Sequence, residues 1–207
     1  MPIEHSMAKS NRISLTTFVD FVSKSGTPKI TVVRRFKHGA AYRPTFDFYK
    51  PVRDAIVDVH EHGKRRKALD AIVAGLQDPR KLAAFTAVVR GHKKFMRRHA
   101  ASWFDPPKGS WVEGGIVVHV NPELGLEIGG VPHVVKLYFK AEPMPKKNVA
   151  TIARLMAKAL GEPGSRTSFG VLDVRRGVLH VPSGGVPGID ALLVSEAASF
   201  AAILASV

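Results

Sequence analysis

Two sets of ionisable side chains in this sequence have types and spacings that could do chemistry. The first lies in NPELGLEIGGVPHVVKLYFK, residues 121–140, where Glu123 and Glu127 precede a Gly129-Gly130 pair and Lys136 follows it. Acids on one strand of a hairpin facing a lysine on the other make either a polar site or a cross-strand ion pair. The second set is Arg90, Lys93, Lys94, Arg97 and Arg98. Their spacing of i, i+3, i+4, i+7, i+8 lines five cations along one face of a helix. Solvated helix faces often look like this, but a run without one interleaved acid fits phosphates.

Smaller groups carry less. Asp54, Asp58 and His62 recur at i, i+4, i+8 and form either a weak metal or proton-transfer site or, as expected here, a solvated face. His60 and His62 diverge by about 200° around a helix, so one metal cannot take both. His119, His133 and His180 read as strand residues with packing roles. Tyr42, Phe46, Phe48 and Tyr49 beside Arg43 and Lys50 read as core anchors, with base stacking as the alternative.

The hairpin can be placed in register from the sequence. Gly129-Gly130 is a two-residue turn signal between alternating strands. With that turn Ile128 faces Val131, and Glu123 falls opposite Lys136. Alternation then puts Leu124, Leu126 and Ile128 on one face with Val131, Val135, Leu137 and Phe139. Glu123, Glu127, Val134, Lys136 and Tyr138 take the other. Read from the residues alone, Glu123–Lys136 is a cross-strand ion pair contributing about 0.2–1 kcal/mol.

The order helix, strand, strand, strand, helix, strand, with Pro122-Glu123 leading into the hairpin and Lys136 on the next strand, resembles the PD-(D/E)xK nuclease superfamily. The similarity covers Ala84 to Val181. In that family an acid after a proline and an acid-x-lysine hold a divalent metal, and the lysine assists the attacking water. The resemblance implies Glu123 as the metal ligand, Glu123, Glu127 and Lys136 as catalytic residues, and Mg²⁺ as the cofactor of any activity. The sequence departs from the pattern at Val134, where the second acid belongs. Glu127 would have to take that role, with Asp54 and Asp58 as further candidate acids. A fold relative without metal chemistry, needing no cofactor, is the expectation.

The elements that must hold these groups follow from periodicity. Ser14 caps a short helix that Gly26 ends, with Leu15, Phe18, Val19 and Val22 at helical spacing. Lys29 to Phe36 alternates and is β-branched, which predicts a strand. Pro51 opens a helix to about His62, and a second is expected from Lys64 to Leu76. A third runs from Pro79 to about His99, with Leu82, Phe85, Val88, Val89, His92, Phe95 and Met96 inward. Gly91 inside it has no explanation in the sequence. Strands are expected at Trp111–Val120, Leu124–Ile128, Val131–Phe139 and on both sides of Arg176-Gly177, with a helix from Pro145 to Leu160 between them. Residues 189–207 form a helix apolar nearly all round, expected to be buried in the core or in a homo-oligomer interface.

Composition frames the function. The chain has 207 residues, 31 Lys+Arg against 17 Asp+Glu, and a net charge of +14. Arg34 to His99 hold seventeen of the basic and six of the acidic residues, so most of the excess sits in one third of the chain. Concentrated positive charge attracts polyanions. The absence of cysteine excludes disulfides, thiolate zinc sites and a cysteine nucleophile, and fits the cytoplasm. Residues 1–12 have no apolar signal-peptide core, and the C-terminal apolar run, interrupted by Glu196, is short for a membrane span.

The expected fold is α/β or α+β. A mainly helical basic region over residues 1–103 packs on a small mixed sheet with two helices over residues 104–207, the two forming one compact unit. The favoured function is binding of DNA or RNA without catalysis. A metal-dependent nuclease with a rearranged acid set, and an interaction subunit that dimerises through residues 189–207, stay open.

Overall fold

The computed structural model of the chain describes residues 11–39 and 47–207. Tyr42, Arg43 and Phe46 lie outside the described residues. The fold is α/β, with a five-stranded mixed sheet in the order β2-β5-β6-β7-β8 and a three-stranded sheet in the order β1-β4-β3. The five strands are β2 (Ala101–Phe104), β5 (Leu124–Ile128), β6 (Val131–Tyr138), β7 (Ser168–Asp173) and β8 (Val178–His180). The small sheet uses β1 (Arg12–Ser14), β3 (Gly109–Glu113) and β4 (Ile116–Val120). Helices are α1 (Leu15–Val22), α2 (Thr27–His38), α3 (Lys50–Glu61), α4 (Pro79–Arg98), α5 (Lys146–Leu160) and α6 (Ile189–Ser206).

The hairpin forms in the expected register, with Ile128 opposite Val131 and Leu124 opposite Val135. Gly129 and Gly130 have φ of 59° and 76°, the paired positive values that a two-residue hairpin turn requires. Alternation along β5 and β6 then feeds two cores. Leu124, Leu126, Val135 and Leu137 join Val52, Ile56, Phe85, Val88 and Phe95 from α3 and α4. Val134 and Val171 face the other way, onto α1, α5, α6 and the small sheet. β6 and β7 are parallel and joined through α5, as a parallel pair requires a crossover.

Several elements differ from their sequence reading. Residues 29–36 are helical, within α2. Pro28 sits in the first turn, where its missing N–H costs nothing. Lys29, Val32, Val33 and Phe36 also satisfy helical spacing, and Phe36 packs edge-on against Phe200 of α6 at 5.7 Å. The expected strand Trp111–Val120 is instead the β3–β4 hairpin, turning at Gly114-Gly115. The expected helix Lys64–Leu76 is a 3-10 segment, Arg66–Ile72, with Leu69 its buried anchor. Leu82 is 41% exposed rather than inward, because it lies in the first turn of α4, beyond the edge of the core. Within the subunit α6 buries only Leu193, Ala197, Phe200 and Leu204. Leu192 and Val194 are exposed, while Ile189, Ala201 and Ile203 are half-buried against the core that those four join.

Gly91 now has a reason. A Cβ there would run into the carbonyl oxygens of Val174 and Arg175, so α4 meets the β7–β8 turn backbone to backbone. The turn supplies its own glycine, Gly177, with φ of 62°.

Candidate functional site

Glu123 directly precedes β5, and Lys136 lies on β6 where the register brings them together. Lys136 Nζ donates to Glu123 Oε1 at 2.5 Å and to the Asn121 carbonyl at 3.2 Å. The Leu137 backbone N–H donates to Glu123 Oε2 at 2.8 Å. Both side chains are largely covered, with 14% and 17% exposure. Each carboxylate oxygen thus already has a donor, and the ammonium is held within the hairpin. Glu127 is exposed and opposite Pro132, four residues from Glu123, or about 13 Å along a strand. Val134, where the PD-(D/E)xK pattern has its second acid, is buried in the core. Of the three residues named for catalysis, the fold joins Glu123 to Lys136 and leaves Glu127 apart.

Asp54 and Asp58 cannot complete that set, because α3 covers the opposite face of the sheet. Asp54 pairs with Lys50. Asp58 binds Lys64 at 2.6 Å and His62 at 3.1 Å, and Lys64 holds its carboxyl below the usual carboxylate range. No group of three or more His, Asp or Glu side chains placed to hold a metal occurs among the described residues. Phe48 and Tyr49 are core anchors, with Phe48 edge-on to Phe85 at 5.8 Å and Tyr49 stacked on Phe139 at 5.1 Å.

The helix α4 is fixed by its inner face and presents its cations outward. Asp78 caps its start, accepting from the Arg80 and Lys81 N–H groups, and Phe85, Val88, Val89, His92 and Phe95 are buried. Arg90, Arg97 and Arg98 are exposed, and Lys94 is half-buried. Lys93 differs: its ammonium binds Asp70 of the 3-10 segment at 2.5 and 2.6 Å, and its side chain is only 19% exposed. Arg90, Lys94, Arg97 and Arg98 form no ion pair among the described residues. Two of the helix's basic residues, Arg97 and Arg98, lie in its last turn, where cations meet the negative end of the backbone dipole.

Beneath that surface lies a polar pair that sequence spacing did not connect. His60 of α3 and His92 of α4 meet Nε2 to Nε2 at 2.9 Å. One ring donates and the other accepts, and the low pKa values that burial imposes keep both neutral at pH 7. His92 is fully buried, and its Nδ1 has no hydrogen-bond partner. Burial, reinforced by His60, pushes His92 down to about 3, and burial pushes His60 down to about 4.

On the other side of the sheet α1, α2, the end of β6 and the start of α5 enclose a cleft of about 690 Å³. Lys24, Arg35, Lys136, Lys140 and Lys147 line it, with Asp20 and Glu142 the only acids among its described lining residues. Burial, then Glu142 and Asp173, raise the Tyr138 phenol in its wall. Sequence reading missed this cleft because its cations come from four separate segments. The proline and paired lysines that open α5 were the only local signal. In comparisons with known proteins no family model matches this chain, and neither a curated protein nor a solved structure matches it.

Proposed function

We propose that this protein binds nucleic acid through the outer face of α4 and does not cut it. The observation that carries this reading is the row Arg90, Lys94, Arg97 and Arg98, unneutralised among the described residues and set on a helix whose inner face is locked. From Arg90 to Arg97 the row extends about 10 Å along the axis, long enough to follow successive phosphates of a strand. Guanidinium groups suit phosphate because they offer paired donors in a plane. The likeness to PD-(D/E)xK nucleases enters as a fold relative stripped of its metal set. Supporting the non-cutting role are the buried Val134, the distant Glu127 and the saturated Glu123–Lys136 pair.

The test is a salt titration of affinity for duplex DNA and for RNA. Each lost phosphate contact should reduce the slope of log K against log salt by about 0.9 on duplex and about 0.7 on single strands. The variant Arg90→Gln/Arg97→Gln/Arg98→Gln should bind more weakly and with a flatter slope. Equal slopes for variant and wild type would remove α4 from the interface. Cleavage of either substrate with Mg²⁺ or Mn²⁺, abolished in Lys136→Met, would favour the nuclease reading instead.

A second reading concerns assembly. The exposed Leu192 and Val194, with small residues Ala191, Ser195, Ala198, Ala202 and Ala205 alongside, leave the outside of α6 apolar. By length and composition α6 could also cross a membrane, with a mean hydropathy of 1.6 over 18 residues. Its inner stripe is nonetheless tied into the fold by Phe200 on Phe21 and by the Lys29–Glu196 pair. We therefore favour self-association through residues 189–207. Sedimentation should show a dimer that Leu192→Lys dissociates, and a wild-type monomer at every concentration would end this reading.

A further inference from the structure

We propose that the cleft between α1–α2 and the start of α5 binds a small organic phosphate, a phosphomonoester carried on an apolar body of nucleotide size. This site is separate from α4, which covers the opposite face of the sheet.

Charge makes the first argument. Of the five cations lining the cleft, Lys136 is committed to Glu123. Lys24, Arg35, Lys140 and Lys147 form no ion pair among the described residues. Against them stand Asp20 and Glu142, leaving an excess of two positive charges. A phosphomonoester carries a charge of about −1.5 to −2 at neutral pH, which matches that excess.

Placement makes the second argument. Lys24, Arg35 and Lys140 also line an adjoining hollow of about 400 Å³, so these three cations meet, with Asp20 beside them, where the two spaces join. They arrive from the α1–α2 connection, from α2 and from the residues after β6. Like charges gathered from three elements repel one another at a cost to folding, and a bound anion would offset that repulsion. The cleft lies beyond the C-terminal end of β6, within the parallel part of the sheet, where open α/β folds place their ligands. No acid occupies the first turn of α5 and no side chain caps it, so its positive end adds to the same field.

Shape makes the third. The cleft volume falls within the range of small-molecule sites, about 300–1,000 Å³. Its walls are apolar as well as charged, with Leu15, Val19, Phe36 and Ile152 among them. Inorganic phosphate would use only the cations and leave those walls in water. A phosphate on an apolar body uses both.

Calorimetry on the full protein with adenosine 5′-monophosphate, adenosine and inorganic phosphate tests the proposal. The monophosphate should bind at least tenfold tighter than either of the others. Arg35→Gln/Lys140→Gln should weaken it at least tenfold, and Lys147→Gln, on a different element, should weaken it by a smaller factor. Arg35, Lys140 and Lys147 are exposed and their repulsion is relieved by the substitutions, so thermal unfolding of these variants should not fall below wild type. The α4 triple variant should bind the monophosphate like wild type, and the Arg35→Gln/Lys140→Gln variant should keep its DNA affinity to within twofold. That separation lets either site fail without the other. The proposal is overturned if the monophosphate binds no tighter than adenosine or phosphate, if the cleft variants bind it unchanged, or if the α4 variant is the one that loses it.

Discussion

The two faces of the central sheet carry positive charge in opposite geometries. On the α3–α4 face the cations form a convex row on one helix, spaced by the helical period. On the α1–α2–α5 face they converge from four segments onto a concavity. A convex row presents charge to a long polyanion and can be read from one stretch of sequence. A concavity presents charge to a small anion and exists only once distant segments have packed. The cores beneath differ as well. The α3–α4 core holds the neutral His60–His92 pair, whereas among the described residues the core on the other face holds no buried histidine.

Acid should break this comparison most strongly. In the unfolded chain both histidines titrate near 6.5, and in the folded chain at about 4 and about 3. The unfolded state therefore binds more protons once the pH falls below 6.5. The stability that the neutral pair contributes is complete above that value and is lost as the pH falls toward the folded values. Each histidine contributes a slope approaching 1.4 kcal/mol per pH unit, so urea unfolding should lose about 5 kcal/mol between pH 6.5 and 4.5. His92→Phe should remove about half of that loss. Hydrogen-exchange protection at pH 5 should fall in α3 and α4 before α5. A uniform loss of protection would show that the two faces open as one unit.

Next in size is Gly91→Ala. The added methyl has nowhere to go but into the Val174 and Arg175 carbonyls, so α4 must lift from the β7–β8 turn. Overpacking of this kind costs about 1–3 kcal/mol, which chemical denaturation would register. A neutral result would mean that α4 is not seated against that turn. Lys136→Met probes the other face. It leaves the mostly covered Glu123 carboxylate without its cation and should cost about 1–3 kcal/mol, while adding Glu123→Gln should recover part of the loss. If the double variant is no more stable than Lys136→Met, the pair is not what holds this end of the hairpin. The α4 arginine variants should have the smallest effect on stability, within about 0.5 kcal/mol, because exposed cations contribute little to the fold.

The sequence alone determined what depends on neighbours a few residues apart. The β5–β6 register followed from two glycines and a strict alternation, so the Glu123–Lys136 pairing was legible before any fold was known. The Ser14 cap, the inner face of α4 from Phe85 onward and the extent of α5 were legible for the same reason: capping and amphipathic period are local. Tertiary structure decided the rest. Residues 29–36 satisfy both a strand and a helix period; Pro28 suits the start of a helix, and packing against Phe200 with the Lys29–Glu196 contact fixes it in place. Gly91 looked like a flaw in α4 until the β7–β8 turn occupied the space of its missing side chain. His60 and His92 are 32 residues apart, and Lys24 and Lys147 still further, so no spacing rule links them. Such sites are written in long-range contacts, whose pattern appears only when the chain has closed its loops and buried its apolar faces.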